Sequence, residues 1–149
     1  MGRAAVGGSL VALVVLAAIF APLIAPWDPY QQDLMARLKP GFWSPNAAPG
    51  HLLGTDNYGR DLLSRLIYGS RLSILVGVSS MLLSALIGSV ACVIAGLRGG
   101  ATEQAIMRFA DAQMAFPDIL LAILMVAALG GNAVNLILVL GVSRWMVYA

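Results

Sequence analysis

The sequence predicts an all-α membrane protein with about four transmembrane helices, and three observations support this fold class. Of its 149 residues, 60% are apolar and only 11% are charged. A water-soluble domain carries a charged coat of roughly twice that density. The mean hydropathy is +0.86, and the apolar residues are grouped in blocks long enough to cross a bilayer.

The composition excludes several kinds of site. The single cysteine, Cys92, cannot form an internal disulfide or a cysteine metal cluster, and the single histidine, His51, leaves no partner for a zinc site or a catalytic triad. The only lysine, Lys39, is followed by proline, so the sequence contains no phosphate-binding loop. A net charge of +2 without a basic run does not indicate a nucleic-acid partner. We therefore expect no catalytic residue, metal or cofactor in this chain.

Residues 1–26 are predicted to form an N-terminal transmembrane helix. No charge occurs from 6 to 26, and about 20 apolar residues at a rise of ~1.5 Å cross the hydrocarbon layer. Because Arg3 precedes the block, a signal peptide is the alternative, but the apolar run is long for a cleaved one and no good small-x-small site follows. Pro22 and Pro26 are expected to end the helix, with Trp27 near the membrane interface.

Residues 27–71 are predicted to form a loop between the first two spans. Its first half is rich in proline and should be irregular. In its second half, apolar residues at helical spacing from Leu62 to Ile67 predict a short amphipathic helix at the interface, with Asp61 paired to Arg65. Calcium binding is not expected, because Tyr58 and Arg60 stand where an EF-hand needs oxygen ligands. His51 is interpreted as an ordinary loop residue.

The second span is predicted at about 72–97, which contains no charge. Small residues recur at every fourth position of this span, and such spacing lets two membrane helices approach closely. The alternative is that small residues are simply common in membrane helices. The predicted helix-packing residues are Ser80, Ser84, Gly88, Cys92 and Gly96.

The third and fourth spans are predicted at about 104–129 and 133–149. Thr102 is a suitable N-cap for the third helix, and Arg108, Asp111 and Asp118 lie on one of its faces, with Pro117 expected to kink it. Asp118 either faces the bundle interior or a cavity, or is shallow enough to reach headgroup water. Asp111 and Asp118 as a catalytic pair are disfavoured, because seven residues separate them by about 10 Å along a helix.

The charge distribution does not decide the orientation in the membrane. With the N-terminus inside, four basic residues lie inside and five lie outside, so the positive-inside rule favours neither side. The inside group would comprise Arg3, Arg98, Arg108 and Arg144, and the outside group Arg37, Lys39, Arg60, Arg65 and Arg71.

One stretch of the loop resembles a family signature. Residues 53–56 read LGTD and residues 59–73 read GRDLLSRLIYGSRLS. This pattern is similar to the C-type permease subunits of bacterial dipeptide, oligopeptide and nickel ABC importers. MRFAD at 107–111, AFP at 115–117 and LLAI at 120–123 resemble the third helix of that family, so the resemblance covers nearly the whole chain.

The resemblance implies the first part of a type I ABC importer permease, multi-pass in the bacterial inner membrane, with the N-terminus in the cytoplasm and the loop outside. It also implies a second permease, two cytoplasmic ATPases that bind the ATP, and an external substrate-binding protein. Residues 72–149 would open the permease domain and contribute to the translocation path, although Arg108 and Asp111 are equally well interpreted as a structural pair. The loop motif, Gly54, Thr55, Asp56, Gly59, Arg60 and Asp61, is expected to shape the backbone rather than to contact substrate.

Family members continue beyond the fourth span into a cytoplasmic loop that docks the ATPase, whereas this sequence stops at Ala149. The resemblance therefore predicts a truncated chain or half of a split permease. The alternative function is a small multi-pass scaffold or assembly protein without transport activity.

Overall fold

The computed structural model describes residues 2–115 and 117–149, apart from the side chains at positions 118, 119, 121 and 122. The chain divides into two compact units, Met1–Ile74 and Leu75–Ala149. Helices dominate both units, and in the described part the one β-type contact is an isolated antiparallel bridge between Thr55 and Asp61. The all-α fold class predicted from composition is confirmed.

The first unit begins with helix α1, Gly2–Ile19, followed after Phe20 by the short helix α2, Ala21–Ile24. Pro22 lies in the first turn of α2, where the missing N–H of proline does no harm. Among the side chains of α1, Ala18 is buried, while Leu10, Leu13 and Leu16 are exposed. A helix with apolar side chains directed outward is suited to lipid and not to water.

The loop that follows α2 contains one turn of 3₁₀ helix, Leu34–Ala36. Asp33 begins this turn and accepts a hydrogen bond from the Met35 backbone N–H at 2.9 Å. The rest of the loop is irregular up to Asp61, as the prolines predict.

Helix α3 runs without interruption over Leu62–Arg98, 37 residues. The predicted short amphipathic helix from Leu62 to Ile67 forms the first turns of α3 and is continuous with the second span. No proline interrupts the helix between the two segments, and the interfacial location of its start stays a prediction. At ~1.5 Å per residue, α3 is about 55 Å long, well beyond the ~30 Å of a bilayer core. Its polar first turns therefore extend past the hydrocarbon layer when residues 72–97 span it.

In the second unit, Gly99 ends α3 with a positive φ of 57° and starts α4, Gly100–Met114. The helix thus begins two residues before the predicted N-cap Thr102. The segment predicted at 104–129 is divided into two helices: α4 ends at Met114, and the chain becomes helical again as α5, Asp118–Leu129, next to Pro117, where a kink was expected. Pro117 has extended backbone angles at this point, since its ring and missing N–H do not allow the helical ladder to continue.

Helix α6 covers Ala133–Ser143 and is followed by a 3₁₀ turn, Trp145–Val147, so the fourth helix ends earlier than predicted. Among the described residues, Gly2–Ile19 and Leu62–Arg98 are long and apolar enough to cross a membrane. Helix α6 is also apolar on average, but its 11 residues extend only about 17 Å. Two of the predicted spans are thus full-length helices, and the other two are shorter.

Candidate functional site

The side chain of Asp61 lies at the centre of the loop in the first unit. It is 1% exposed and precedes the first residue of α3. Its Oδ2 accepts a hydrogen bond from the Ser64 backbone N–H at 2.7 Å, which is the geometry of a helix N-cap. Its Oδ1 lies 3.0 Å from Nδ1 of His51. The two side chains are therefore joined by a hydrogen bond.

His51 and Ser64 connect the Asp61 cap to Trp27, which lies shortly after the end of α2. The Trp27 backbone N–H donates to Oγ of Ser64 at 3.0 Å, and the Trp27 ring stacks on His51 with centroids 4.9 Å apart. Trp27 Nε1 also donates to the carbonyl of Gly50 at 3.0 Å. His51 lies in the loop, as predicted, and its contacts with Trp27 and Asp61 join separate parts of that loop.

Asp56 organises the turn that precedes the cap. Its carboxylate accepts the backbone N–H of Tyr58 at 2.8 Å and that of Arg60 at 3.0 Å. It also pairs with the guanidinium of Arg60 at 2.8 Å and with that of Arg65. Arg65 thus pairs with Asp56 and not, as predicted, with Asp61. Burial raises the pKa of Asp56, but hydrogen bonds from Arg60 and Tyr58 and the Arg60 charge outweigh it and lower the pKa from 3.8 to about 2.

Thr55 connects the turn to residues 36–39, which precede it in the loop. Its buried hydroxyl donates to the carbonyl of Ala36 and accepts the Lys39 backbone N–H at 2.9 Å. The Thr55 backbone N–H donates to the Lys39 carbonyl at 3.0 Å. These bonds hold residues 36–39 beside the motif.

The two motif glycines are required by both conformation and space. Gly54 and Gly59 have φ values of +84° and +73°, a region that other residues rarely adopt. A Cβ at Gly59 would lie 1.7 Å from the carbonyl oxygen of Asp33, and one at Gly54 would lie 2.4 Å from that of Lys39. The motif therefore supports the loop fold by close backbone contact.

A cavity of about 230 Å³ adjoins this network and is lined in part by Trp27, Asp28, Asp33, His51 and Asp61. Throughout the described part of the chain, no three His, Cys, Asp or Glu side chains converge as a metal site would require. The acidic residues that the motif contributes are already engaged with groups of the same chain.

In the second unit, the small residues of α3 differ in their surroundings. Ser84 is buried and donates from Oγ to the Gly141 carbonyl of α6 at 2.8 Å. A Cβ at Gly88 would lie 2.2 Å from the carbonyl oxygen of Trp145. Ser80 is 7% exposed and donates to the Val76 carbonyl of its own helix at 2.6 Å.

The last two small residues of this series on α3, Cys92 and Gly96, are exposed. Cys92 is exposed, and a Cβ at Gly96 would meet no atom within 4 Å. Close packing by the small residues of α3 is thus found at Ser84 and Gly88, whereas the described residues leave the face at Cys92 and Gly96 uncovered.

Of the polar residues predicted on the third helix, the structure describes the side chains of Arg108 and Asp111. Arg108 and Asp111 are both exposed on α4, and the ion pairs within the described part of the chain do not include one between them. Pro117 separates α4 from α5, which Asp118 begins. The side chain of Asp118 lies outside the described residues, so its predicted intramembrane role stays a prediction.

Gln113 was missed by the sequence analysis. Its amide nitrogen donates to the carbonyl of Val142 at 3.0 Å, and its amide oxygen accepts from Trp145 Nε1 at 2.9 Å. Phe109 also stacks on Trp145. Gln113 lies one turn after Phe109, so a polar residue on an aromatic helix face was the available signal.

Residues 3–49 match the family model of the N-terminal TM domain of oligopeptide transport permease C. The chain is 41% identical over 147 residues to the di/tripeptide transport system permease protein of Pseudomonas aeruginosa, covering 98% of this chain and 48% of that protein. It is 40% identical over 140 residues to the nickel transport system permease protein of Escherichia coli, covering 94% and 48%. The oligopeptide transport system permease protein of Bacillus subtilis is 35% identical over 143 residues, covering 96% and 45%.

The chain belongs to the C-type permease family. It is accordingly a membrane protein, and it spans about half the length of the curated relatives that it matches. The GTD and GRD elements of this permease are the ones that fold its loop onto the start of α3.

The Gly59→Ala variant of the permease should lose the loop fold. The left-handed backbone alone costs about 1–2 kcal/mol for alanine, and the clash with Asp33 adds to this. Thermal unfolding in detergent and limited proteolysis of the loop measure the effect. Gly69→Ala is the matched control, because its Cβ would meet nothing within 4 Å and alanine gains up to about 1 kcal/mol in a helix interior. Equal stability of the two variants would contradict this interpretation.

Asp56 should make the stability of the permease fall in acid. Its folded pKa of about 2 lies below the ordinary 3.8. The stabilisation is therefore complete above about pH 4 and is lost as the pH falls through about 2. Near neutral pH, Asp56→Asn should be less stable by at most about 2 kcal/mol, since water screens part of the interaction.

Chemical unfolding of the native chain and of Asp56→Asn, compared over a series of pH values, tests this expectation. The difference in free energy of unfolding should shrink between about pH 4 and pH 2. A difference that stays constant over that range would show that the charge of Asp56 is not the cause.

Gly88→Ala should destabilise the second unit, and Gly96→Ala should not. Adding a methyl group against the Trp145 carbonyl overpacks the contact, at a cost of about 1–3 kcal/mol. At Gly96 the same methyl group enters open space. Unfolding in detergent, followed by Trp145 fluorescence with the other tryptophans replaced, distinguishes the two positions. An equal loss of stability at both positions would show that Gly88 is not packed more closely than Gly96.

Proposed function

We propose that this chain is a permease subunit of an ATP-driven importer for di- or oligopeptides or a related solute, and that it forms part of the translocation path. The observation that carries the proposal is the match to peptide and nickel permeases through both units of the chain. A relation that extended over one apolar helix alone would support only a shared membrane location.

The energy for transport would come from other subunits. The sequence has no phosphate-binding loop, so two cytoplasmic ATPases would bind and hydrolyse the ATP. A second permease would complete the path, and an external binding protein would deliver the solute. In this arrangement the chain is multi-pass in the bacterial inner membrane, with its N-terminus in the cytoplasm and its loop outside.

The loop motif would support transport indirectly. The carboxylates of Asp56 and Asp61 are occupied by arginines, His51 and backbone N–H groups, which leaves them poorly placed to bind a passing solute. Their role in the proposal is to hold the start of α3 while the permease pair alternates between outward and inward states. The same engagement favours transport over catalysis by this chain.

The proposal is tested by expressing the tagged chain together with its companion permease, ATPase and binding-protein genes. We expect the second permease and both ATPases to co-purify with the chain in a fixed ratio. Reconstituted vesicles should then accumulate radiolabelled alanyl-alanine or Ni²⁺ only when ATP is supplied. Vesicles prepared without this chain provide the control.

A folded chain that purifies without these subunits, and whose addition leaves uptake unchanged, would overturn the proposal. That result would favour the alternative of a membrane scaffold or assembly protein.

A further inference from the structure

A surface of the loop carries large apolar side chains that the chain itself does not cover. We call it the loop surface and define it as residues 34–43. Its apolar side chains all occur within ten residues, and Phe42 and Trp43 are in edge-to-face contact, with centroids 5.5 Å apart. The exposed fractions are Met35 90%, Phe42 73%, Leu34 69%, Trp43 64% and Leu38 61%.

The backbone beneath the loop surface is held in place. The N–H of Phe42 donates to the Leu52 carbonyl at 3.0 Å, and the N–H of Leu38 donates to the Asp56 carbonyl at 3.1 Å. Leu38 has a φ of 52° and is, among the described residues, the one non-glycine with a positive φ. A bulky residue in this region is a conformational outlier, yet most of the Leu38 side chain is exposed. The fold thus displays these side chains on an ordered support.

The charges on the loop surface indicate what covers it. Arg37 and Lys39 are exposed between the apolar residues, and neither takes part in the ion pairs of the described residues. Asp33, the acidic residue that directly precedes the loop surface, uses its carboxylate to accept a hydrogen bond from the Met35 backbone N–H. Apolar and aromatic side chains interspersed with basic ones match the boundary between acyl chains and anionic headgroups.

The bilayer is also within reach of this surface. The loop is joined covalently to α1 on one side and to α3 on the other, and both helices are long and apolar enough to span a membrane. Contact with the adjacent leaflet therefore does not require a separate binding event.

We propose that the loop surface lies in the interfacial layer of the bilayer, with Leu34, Met35 and Leu38 inserted and with Arg37 and Lys39 at anionic lipid headgroups. This inference does not depend on the proposed transport function. It adds an interfacial contact at residues 34–43 to the one that the sequence predicts from Leu62 to Ile67.

Nitroxide labelling of the whole chain in lipid nanodiscs tests the proposal. In a Cys92→Ser background, a label is attached at Met35→Cys or, as control, at Asn46→Cys, an exposed polar position of the same loop. Power saturation then compares collision with oxygen, which concentrates in lipid, and with a water-soluble nickel chelate. In nanodiscs of phosphatidylcholine and phosphatidylglycerol, we expect the Met35 label to meet mainly oxygen and the Asn46 label mainly the chelate.

Equal access of the chelate to both labels would overturn the proposal. Protection of the Met35 label from oxygen and chelate alike would also overturn it, because that pattern means that protein covers the surface. Neither position supplies a side-chain contact to the loop network, so the variants leave the fold intact.

The charge component is tested with Arg37→Gln/Lys39→Gln. In the variant with both substitutions, we expect the label at position 35 to collide less with oxygen and more with the chelate in nanodiscs that contain phosphatidylglycerol. Its oxygen preference should approach the value measured in phosphatidylcholine alone. Arg3→Gln/Arg98→Gln removes the same charge elsewhere and should leave the preference unchanged. An equal response to both pairs would show that anionic lipid does not hold the loop surface.

Discussion

The buried carboxylate of Asp61 is the interaction on which the first unit depends. A buried polar group is tolerated only when its hydrogen bonds are satisfied, and the Asp61 carboxyl group forms its hydrogen bonds with His51 and the Ser64 backbone. By capping α3 it determines where the 37-residue helix begins. Through Ser64 it also connects that start to Trp27, where the chain leaves the first helical segment. One acidic residue thereby couples the loop to the membrane helix that follows.

The solvent imposes the complementary constraint on the helices. Lipid offers no hydrogen bonds, so a spanning helix satisfies its backbone internally and keeps few polar side chains. Three serines of the second unit follow this rule, because Ser80 and Ser143 bond to carbonyls of their own helices and Ser84 bonds to a carbonyl of α6. Polar groups in these helices act in packing, whereas the charged groups of the motif are collected in the loop.

This division explains how a permease chain with few charged residues obtains a defined loop. The GTD and GRD residues use their charges to hold backbone segments together, and their glycines admit close approach of those segments. The support then directs large apolar side chains outward at residues 34–43. Rigidity in the network and exposure on the surface are two consequences of the same local fold.

The sequence alone determined the helical membrane class, the irregular proline-rich loop, the apolar segments of α1 and α3, and the need for glycine at the motif turns. These follow from composition and local conformational preference, which act over a few residues. Only the tertiary structure decided that Arg65 pairs with Asp56, that His51 bonds to the buried Asp61, and that Gln113 bonds to Trp145. It also separated Gly88, which packs, from Gly96, which does not. Such choices depend on which distant backbone segment arrives beside each residue, and periodicity along one helix carries no information about that.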